Sequence, residues 1–390
     1  MSVVSRAPRA QHGATMPMPA STSDQHSRHA ALTMALTLPG DVLLYLLLPM
    51  FATQFGVSLL EVGILLAANR LVRIAGYGWV ARFYARHGDR RSCMLAALAA
   101  TLSTLGYALA SGFWALLPLR LLWGLAFAAL NLSTQTLATA ELQAAAHRNG
   151  RSRALIALGP ALALPLGAAL AQWQGPRMIF LILALLALAG LYYARKLPAA
   201  PHPEPARKRR LRLPGSLDTW SFLEGFTLDG LFIIGLSYMA RTQSADDALV
   251  LAGALLGLRY VAEILFSPLG GRLAERVGAE RLLLWLSVLT AIVLTGFGFG
   301  WIWSAAGALV ILRALQLPLL PPIVARRHPG PGRVQALAAR AVWRDIGAGT
   351  GPLAAGLLLP VMAPQWLYAL PAALLVLAAM ACVRPAAAQK

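Results

Sequence analysis

Charge is scarce in this sequence. Asp, Glu, Lys and Arg make up 13% of its 390 residues, against an apolar fraction of 58%. A soluble globular domain is nearer a quarter charged, roughly, so the chain lacks the polar surface of a water-soluble fold. The mean hydropathy of +0.63 agrees. Acid is scarcer still, 15 residues against 34 basic ones. Cysteine is limited to Cys93 and Cys382, neither in a CxxC pair, which argues against a disulfide scaffold or structural zinc and leaves two free thiols. No HExxH, GxSxG or Walker A motif occurs. All seven histidines (His12, His26, His29, His87, His147, His202, His328) fall in the expected tail or loops. Hence no enzyme, bound metal or cofactor is expected, and ATP is not the energy source. Residues 1–30 hold no apolar core of the kind a cleaved signal peptide needs and are expected to be a disordered cytoplasmic tail.

What the chain has in abundance is apolar runs of roughly 20 residues, each long enough to cross a ~30 Å hydrocarbon core as a helix. They show none of the short alternating pattern of a β-barrel. The expected class is an all-α membrane protein with twelve transmembrane helices, at 32–54, 59–81, 93–111, 114–137, 154–173, 177–197, 217–239, 247–269, 282–300, 305–325, 341–361 and 366–384. With both termini cytoplasmic, the inside loops collect Arg86, Arg90, Arg91, Arg148, Arg151, Arg153, the run 207–212, Arg272, Arg276, Arg281, Arg326, Arg327, Arg333 and Arg340; the outside loops keep Arg177 and Arg241. This positive-inside bias accounts for the net charge of +19 without a nucleic-acid partner. A multi-pass inner-membrane protein is expected, working as a monomer. Pro-rich and basic residues at 198–216 read as an extended cytoplasmic linker between bundles at 31–197 and 217–384, with 385–390 a second tail.

Three landmarks recur in order. ARFYARHGDRR and GRLAERVGAER place Gly88 and Gly278 190 residues apart, LRLLWG and LRALQL place Arg120 and Arg313 193 apart, and Gly159-Pro160 precedes Gly351-Pro352 by 192. A nearly constant offset points to two pseudo-symmetric six-helix bundles. An even number of crossings per repeat runs both bundles the same way through the membrane, with a central site between them.

At these residues the chain resembles the major facilitator superfamily. Gly271-Arg-Leu-Ala-Glu275-Arg276-Val-Gly278 is similar to that family's loop motif G-x-L-a-D-r-x-G; the first-half copy has Ala81 and Ala85 at the leading glycine and the acid but keeps Arg86, Gly88 and Arg90. Arg120-Leu-Leu-Trp-Gly124 resembles the helix-4 motif, and Gly347 to Gly356 resembles the exporters' G-x-x-x-G-P-x-x-G-G. The resemblance implies that helices 1, 4, 7 and 10 line a central cavity. It also implies that Arg86, Gly88, Arg90, Gly271, Glu275, Arg276 and Gly278 form a cytoplasmic gate, joined by Arg344 and Asp345.

Nine ionisable residues sit deep in the expected spans: Asp41, Arg70, Arg73, Arg120, Glu224, Asp229, Arg259, Glu263 and Arg313. Each costs ~2.5–3.5 kcal/mol near a helix centre on insertion scales, so each must pair or face a watery cavity. Asp41 and Asp229, with Glu224, are candidate proton carriers; the plain alternative is an acid that only pairs with an arginine. Arg120 and Arg313 are candidate substrate ligands. Arg70 and Arg73 share a helix face and suit either an anionic ligand or two structural bridges, while Arg259 and Glu263 can neutralise one another. Tyr45, Trp123, Phe127 and Tyr238 could stack on a substrate, and Trp114, Trp173, Trp301 and Trp303 read as interface anchors. The expected function is proton-coupled export of a small organic molecule such as a drug, siderophore or other metabolite, driven by the proton gradient. Import of an organic anion, or a transport-dead scaffold or sensor, are the alternatives.

Overall fold

The computed structural model describes residues 20–202, 214–243 and 248–383, and among them every regular element is helical. In chain order these are α1 (Ala20–Thr37), α2 (Pro39–Met50), α3 (Leu59–Leu109), α4 (Phe113–Ala138), α5 (Ala145–Gln174), α6 (Met178–Arg195), α7 (Ser216–Glu224), a π turn (Gly225–Leu231), α8 (Phe232–Gln243), α9 (Ala248–Val277), α10 (Ala279–Gly298), α11 (Ile302–Gln316), α12 (Leu320–Arg327), α13 (Arg333–Leu358) and α14 (Pro364–Val383). Among the described residues, eight stretches are long and apolar enough to cross a membrane. The spans expected at 59–81 and 93–111 run together in the 51 residues of α3, broken only at Gly88, where φ is 73°. That break separates two helices, 59–87 and 89–109, about 44 and 32 Å long at 1.5 Å per residue, so the two expected spans lie one on each side of it. The segments expected as helices 7, 8 and 11 are not among the eight. The first is interrupted by the π turn, and the last carries Arg340, Arg344 and Asp345 in α13.

The expected tail also needs correction. Residues 20–30 are the start of α1 rather than disordered chain, with Ser23 donating to Glu141 at 2.7 Å; residues 1–19 lie outside the described residues. The part of the linker that is described, up to His202, is packed down, as set out below. Tyr238 has its side chain outside the described residues.

Membrane helices carry apolar residues on both faces, and α6 shows the pattern. Ile179, Phe180, Leu183 and Ala187 are buried against neighbours, while Ile182, Leu185 and Leu188 are exposed. Lipid, not water, suits that outer face, and the protein is a multi-pass membrane protein. Trp114, Trp173 and Trp301 are exposed near helix ends. Helices α1–α6 pack among themselves and α7–α14 among themselves; two seams join the groups, α5 against α9 and α12, and α3 with α4 against α13. Close approach within each group needs glycine. A Cβ on Gly159 of α5 would collide with the carbonyl of Ala35 in α1, and one on Gly351 of α13 would collide with Phe226 and Gly230 in the π turn. These two glycines, 192 residues apart, thus make the same kind of contact in each group.

Candidate functional site

Backbone irregularities place the deep acids. Asp41 follows the break at Leu38 between α1 and α2, at Pro39-Gly40, and Asp229 lies within the π turn. Such single-turn π segments concentrate at functional sites. In the first group, Asp41 Oδ1 accepts from Arg120 Nη1 and from Asn69 Nδ2 at 3.0 Å. Arg120, fully buried, also donates from Nε to the Leu65 carbonyl at 3.1 Å, and its guanidinium lies 5.1 Å from the Tyr45 ring. Tyr45 is held in turn by its hydroxyl on the Leu66 carbonyl at 3.1 Å.

The second group repeats the pair and enlarges it. Arg313 Nε donates to Asp229 at 3.0 Å and its Nη1 to Glu263 at 2.5 Å. Arg344 donates to Asp229 and, from Nε, to Glu224 at 2.8 Å. Arg259 completes the network, 3.5 Å from Asp229 and 3.8 Å from Glu263. Three acids meet three arginines, so the cluster is neutral although buried. Arg120 and Arg313 therefore stand on protein acids rather than open to a ligand, and each candidate proton carrier touches an arginine.

Two more of the predicted residues join the groups. Arg73 Nη2 donates to Asp345 Oδ1 at 2.9 Å and stacks over Phe127 at 4.5 Å, and Arg70 donates to the Ala348 carbonyl. Both act as bridges. Arg344 and Asp345 separate: the first serves its own group, the second crosses the seam.

The loop motifs behave unequally. Glu275 of α9 accepts from the backbone N–H of Ala146 at 2.9 Å, in the first turn of α5. That orphan donor and the helix dipole both favour a carboxylate. Gly271 lets α9 approach the Ala146 carbonyl, Gly278 at φ 95° turns the chain into α10, and Arg276 is exposed. In the first-half motif Ala85 leaves no acid to play the Glu275 part. Linker residues pack there instead: His202 N donates to the Ala85 carbonyl at 2.8 Å, and Arg90 reaches the Pro198 carbonyl from N at 3.0 Å and the Leu197 carbonyl from Nε at 2.8 Å. A Cβ on Gly88 would collide with the Ala200 carbonyl. Arg86 is exposed at the same end. Asp89, which sequence reasoning passed over, is fully buried under this strap; it accepts from Tyr84, from Ser133 at 2.6 Å, and lies 2.9 Å from His202 Nε2.

At the loop-motif end the two groups are also tied by Asn149 to the Pro318 carbonyl (3.1 Å), Arg333 to the Thr139 carbonyl (2.7 Å) and Arg340 to Gln135 (2.8 Å). The Arg340–Gln135 tie borders a cavity of about 50 Å³, bounded by both groups and lined also by residues that include Arg153, Glu224, Trp220 and Phe127. Arg153 and Arg340 were expected in loops; both sit on helices that start earlier than their apolar spans, and both face this space. Among the described residues no group of three His, Cys, Asp or Glu could hold a metal ion.

Charged pairs buried inside membrane-crossing helices mark a functional site, and the comparisons give its class. The family model of the Major Facilitator Superfamily matches residues 30–239 and 221–389, so the chain belongs to that superfamily. It is a membrane transporter and not an enzyme. It is 26% identical over 336 residues (78% of this chain and 81% of the relative) to a multi-drug resistance efflux pump PmrA homolog from Lactococcus lactis subsp. lactis strain IL1403. Two solved structures share the fold. The human organic anion transporter MFSD10 (TETRAN) has a TM-score of 0.72 at 16% identity, covering 92% of this chain and 99% of that one. A bacterial homologue of the iron transporter ferroportin, in an outward-facing state, has a TM-score of 0.75 at 15% identity, covering 92% and 98%.

Proposed function

We propose that this transporter works by alternating access between two six-helix bundles of twelve membrane-crossing helices, exporting a small organic molecule across the inner membrane in exchange for protons. The observation that carries the reading is the repeated acid–arginine pair, Asp41 with Arg120 and Asp229 with Arg313, one per bundle. A buried carboxylate held by an arginine has two states of different geometry. Ionised, it keeps the arginine; protonated, it releases it. Protons arriving at both Asp229 and Glu224 free Arg344 from its acids, and one arriving at Asp41 frees Arg120 from its acid. Release of Arg344 acts on α13 and release of Arg120 on α4, and these two helices meet between bundles at Arg340 and Gln135. The loop-motif end, read as cytoplasmic from its arginines, is closed here by the Glu275, Arg333 and Arg340 contacts.

The similarity to an efflux pump homologue supports the outward direction. Import of an organic anion is the second reading, favoured by arginines that no acid answers. Proteoliposomes with an imposed pH gradient and ethidium as the probe test the mechanism. Wild type should concentrate the dye against its gradient. Asp229→Asn and Asp41→Asn should exchange dye between compartments but lose the gradient-driven component. Equal gradient-driven flux in wild type and both variants would remove proton coupling through these acids.

A further inference from the structure

The deep arginines that the sequence offers as ligands for an anion are already answered by the protein. Arg120 is on Asp41, Arg313 on Asp229 and Glu263, Arg73 on Asp345, and Arg70 on a carbonyl. The arginines left over are elsewhere. Arg340 is 6% exposed; its Nη2 donates to the Gln135 amide oxygen at 2.8 Å, and its Nε has no hydrogen-bond partner. Arg153, half-buried, forms neither a hydrogen bond nor an ion pair with the described residues. Both line the cavity between the groups, and the two acids on its wall are taken, Glu224 by Arg344 and Asp345 by Arg73.

We propose that Arg153 and Arg340 form the binding site for an organic oxyanion with an aromatic body, its charged head on the two guanidiniums and its ring against Trp220 and Phe127. The proposal rests on the transport reading above and names its substrate class. A guanidinium buried without a counter-charge is poorly solvated, and an oxyanion would supply charge-assisted hydrogen bonds to both. The aromatic lining adds apolar contact that a bare inorganic anion would not use. The cavity has room for a few waters, so the head fits the closed form, and the body is admitted only as the groups part. Arg340 also holds Gln135 across the seam. A ligand head that takes over this guanidinium competes with the closing contact, so loading from the loop-motif end and opening at that end draw on one side chain.

The test uses the full-length purified protein in detergent, with naphthoate and its neutral isostere naphthamide as probes and the thermal unfolding midpoint as readout. Naphthoate should raise the midpoint saturably, and naphthamide should not. Arg153→Gln should raise the half-saturating naphthoate concentration about tenfold or more, since it removes one charged bidentate contact, and Arg153→Lys should recover part of it. Arg340→Gln should do the same but also breaks the Gln135 contact. Arg153→Gln, which breaks no hydrogen bond or ion pair with the described residues, therefore decides the matter if the Arg340 variant folds poorly. Equal shifts by acid and amide, or an unchanged naphthoate titration in Arg153→Gln, overturn the site. Ethidium flux separates this from the transport reading. Ethidium transport without any naphthoate effect sinks the anion site alone, whereas arginine-dependent naphthoate binding with no flux of either probe supports the site and sinks the transport mechanism.

Discussion

Replacing Arg120 with Gln tests whether the buried pair in the first group holds that group together. Asp41, 7% exposed, would keep one donor, the Asn69 amide at 3.0 Å. Removing one partner of a buried ion pair costs ~3–5 kcal/mol. Because Asn69 remains, the loss should fall at the lower end, about 3 kcal/mol. Asp41→Asn strands Arg120 instead, but the guanidinium keeps the Leu65 carbonyl and the Tyr45 face. Its cost should therefore be smaller, about 2 kcal/mol. The double variant sets two neutral side chains opposite each other and should cost less than the two single losses together, by about 1–3 kcal/mol. Unfolding in mixed micelles titrated with SDS and followed by circular dichroism gives all three numbers. The second group supplies an internal control. After Asp229→Asn, Arg313 still has Glu263 and Arg344 still has Glu224, so its loss should be smaller than that of Asp41→Asn. Losses that add to within about 0.5 kcal/mol would refute the pairing.

The close helix contacts predict a matched pair of variants on α13. Gly347→Ala pushes a methyl into the Phe222 carbonyl and should cost at least ~1–3 kcal/mol, whereas Gly349→Ala meets nothing within 4 Å and should stabilise by roughly 0.5–1 kcal/mol through helix propensity; equal melting temperatures for the two would refute the packing. At the strap, Asp89→Ala leaves the Tyr84 and Ser133 hydroxyls without their acceptor and should cost roughly 2–3 kcal/mol. His202→Ala removes one of three partners and should cost about 1 kcal/mol, and the reverse order in a chemical melt would count against the buried acid as the centre of the cluster. Glu275→Gln weakens the charge on the first turn of α5 by about 1 kcal/mol, loosening the seam at the loop-motif end. In a background with Cys93 and Cys382 replaced by Ala, a cysteine at Asn149 should then react faster with a water-soluble maleimide; an unchanged rate would mean Glu275 does not hold the seam.

Which parts of this were legible in the sequence follows from what a one-dimensional pattern can carry. Asp41, Arg120, Asp229 and Arg313 stood out because a charge inside an apolar run is visible without a fold. Which residues pair was not visible: Arg73 and Asp345 lie 272 residues apart and meet only through the way α3 packs on α13. Arg153 and Arg340 read as loop charges because hydropathy registers only the lipid-crossing part of a helix. Helix α5 begins at Ala145 and α13 at Arg333, each about two turns before its apolar span, and those extra turns carry the cavity arginines. Asp89 was hidden in a charged run that resembles solvated loop; its burial depends on the strap at His202, which no local spacing announces. The two helices expected at 59–81 and 93–111 lie on either side of Gly88, but both run on past their apolar spans to meet at that one non-helical residue.

The arrangement of contacts says where a change of charge would be felt. Arg344 and Asp345 are neighbours on α13, so their side chains leave the helix about 100° apart. One holds Glu224 and Asp229, the other holds Arg73 across the seam. The same juxtaposition occurs on α3, where Asn69 holds Asp41 and its neighbour Arg70 holds the Ala348 carbonyl of α13. Each acid cluster is thus one residue removed from a bond between α3 and α13, although the clusters themselves lie in different groups. The α5–α9 seam is tied differently, by the Glu275 contact to a helix end and by the close approach of Gly150 to the Ser267 carbonyl, with Glu263 the deep charge on that side. On the proposed mechanism, protonation of either acid cluster loosens the α3–α13 seam first, while the α5–α9 seam, whose close approach at Gly150 involves no ionisable group, parts only where Glu275 holds it at the loop-motif end.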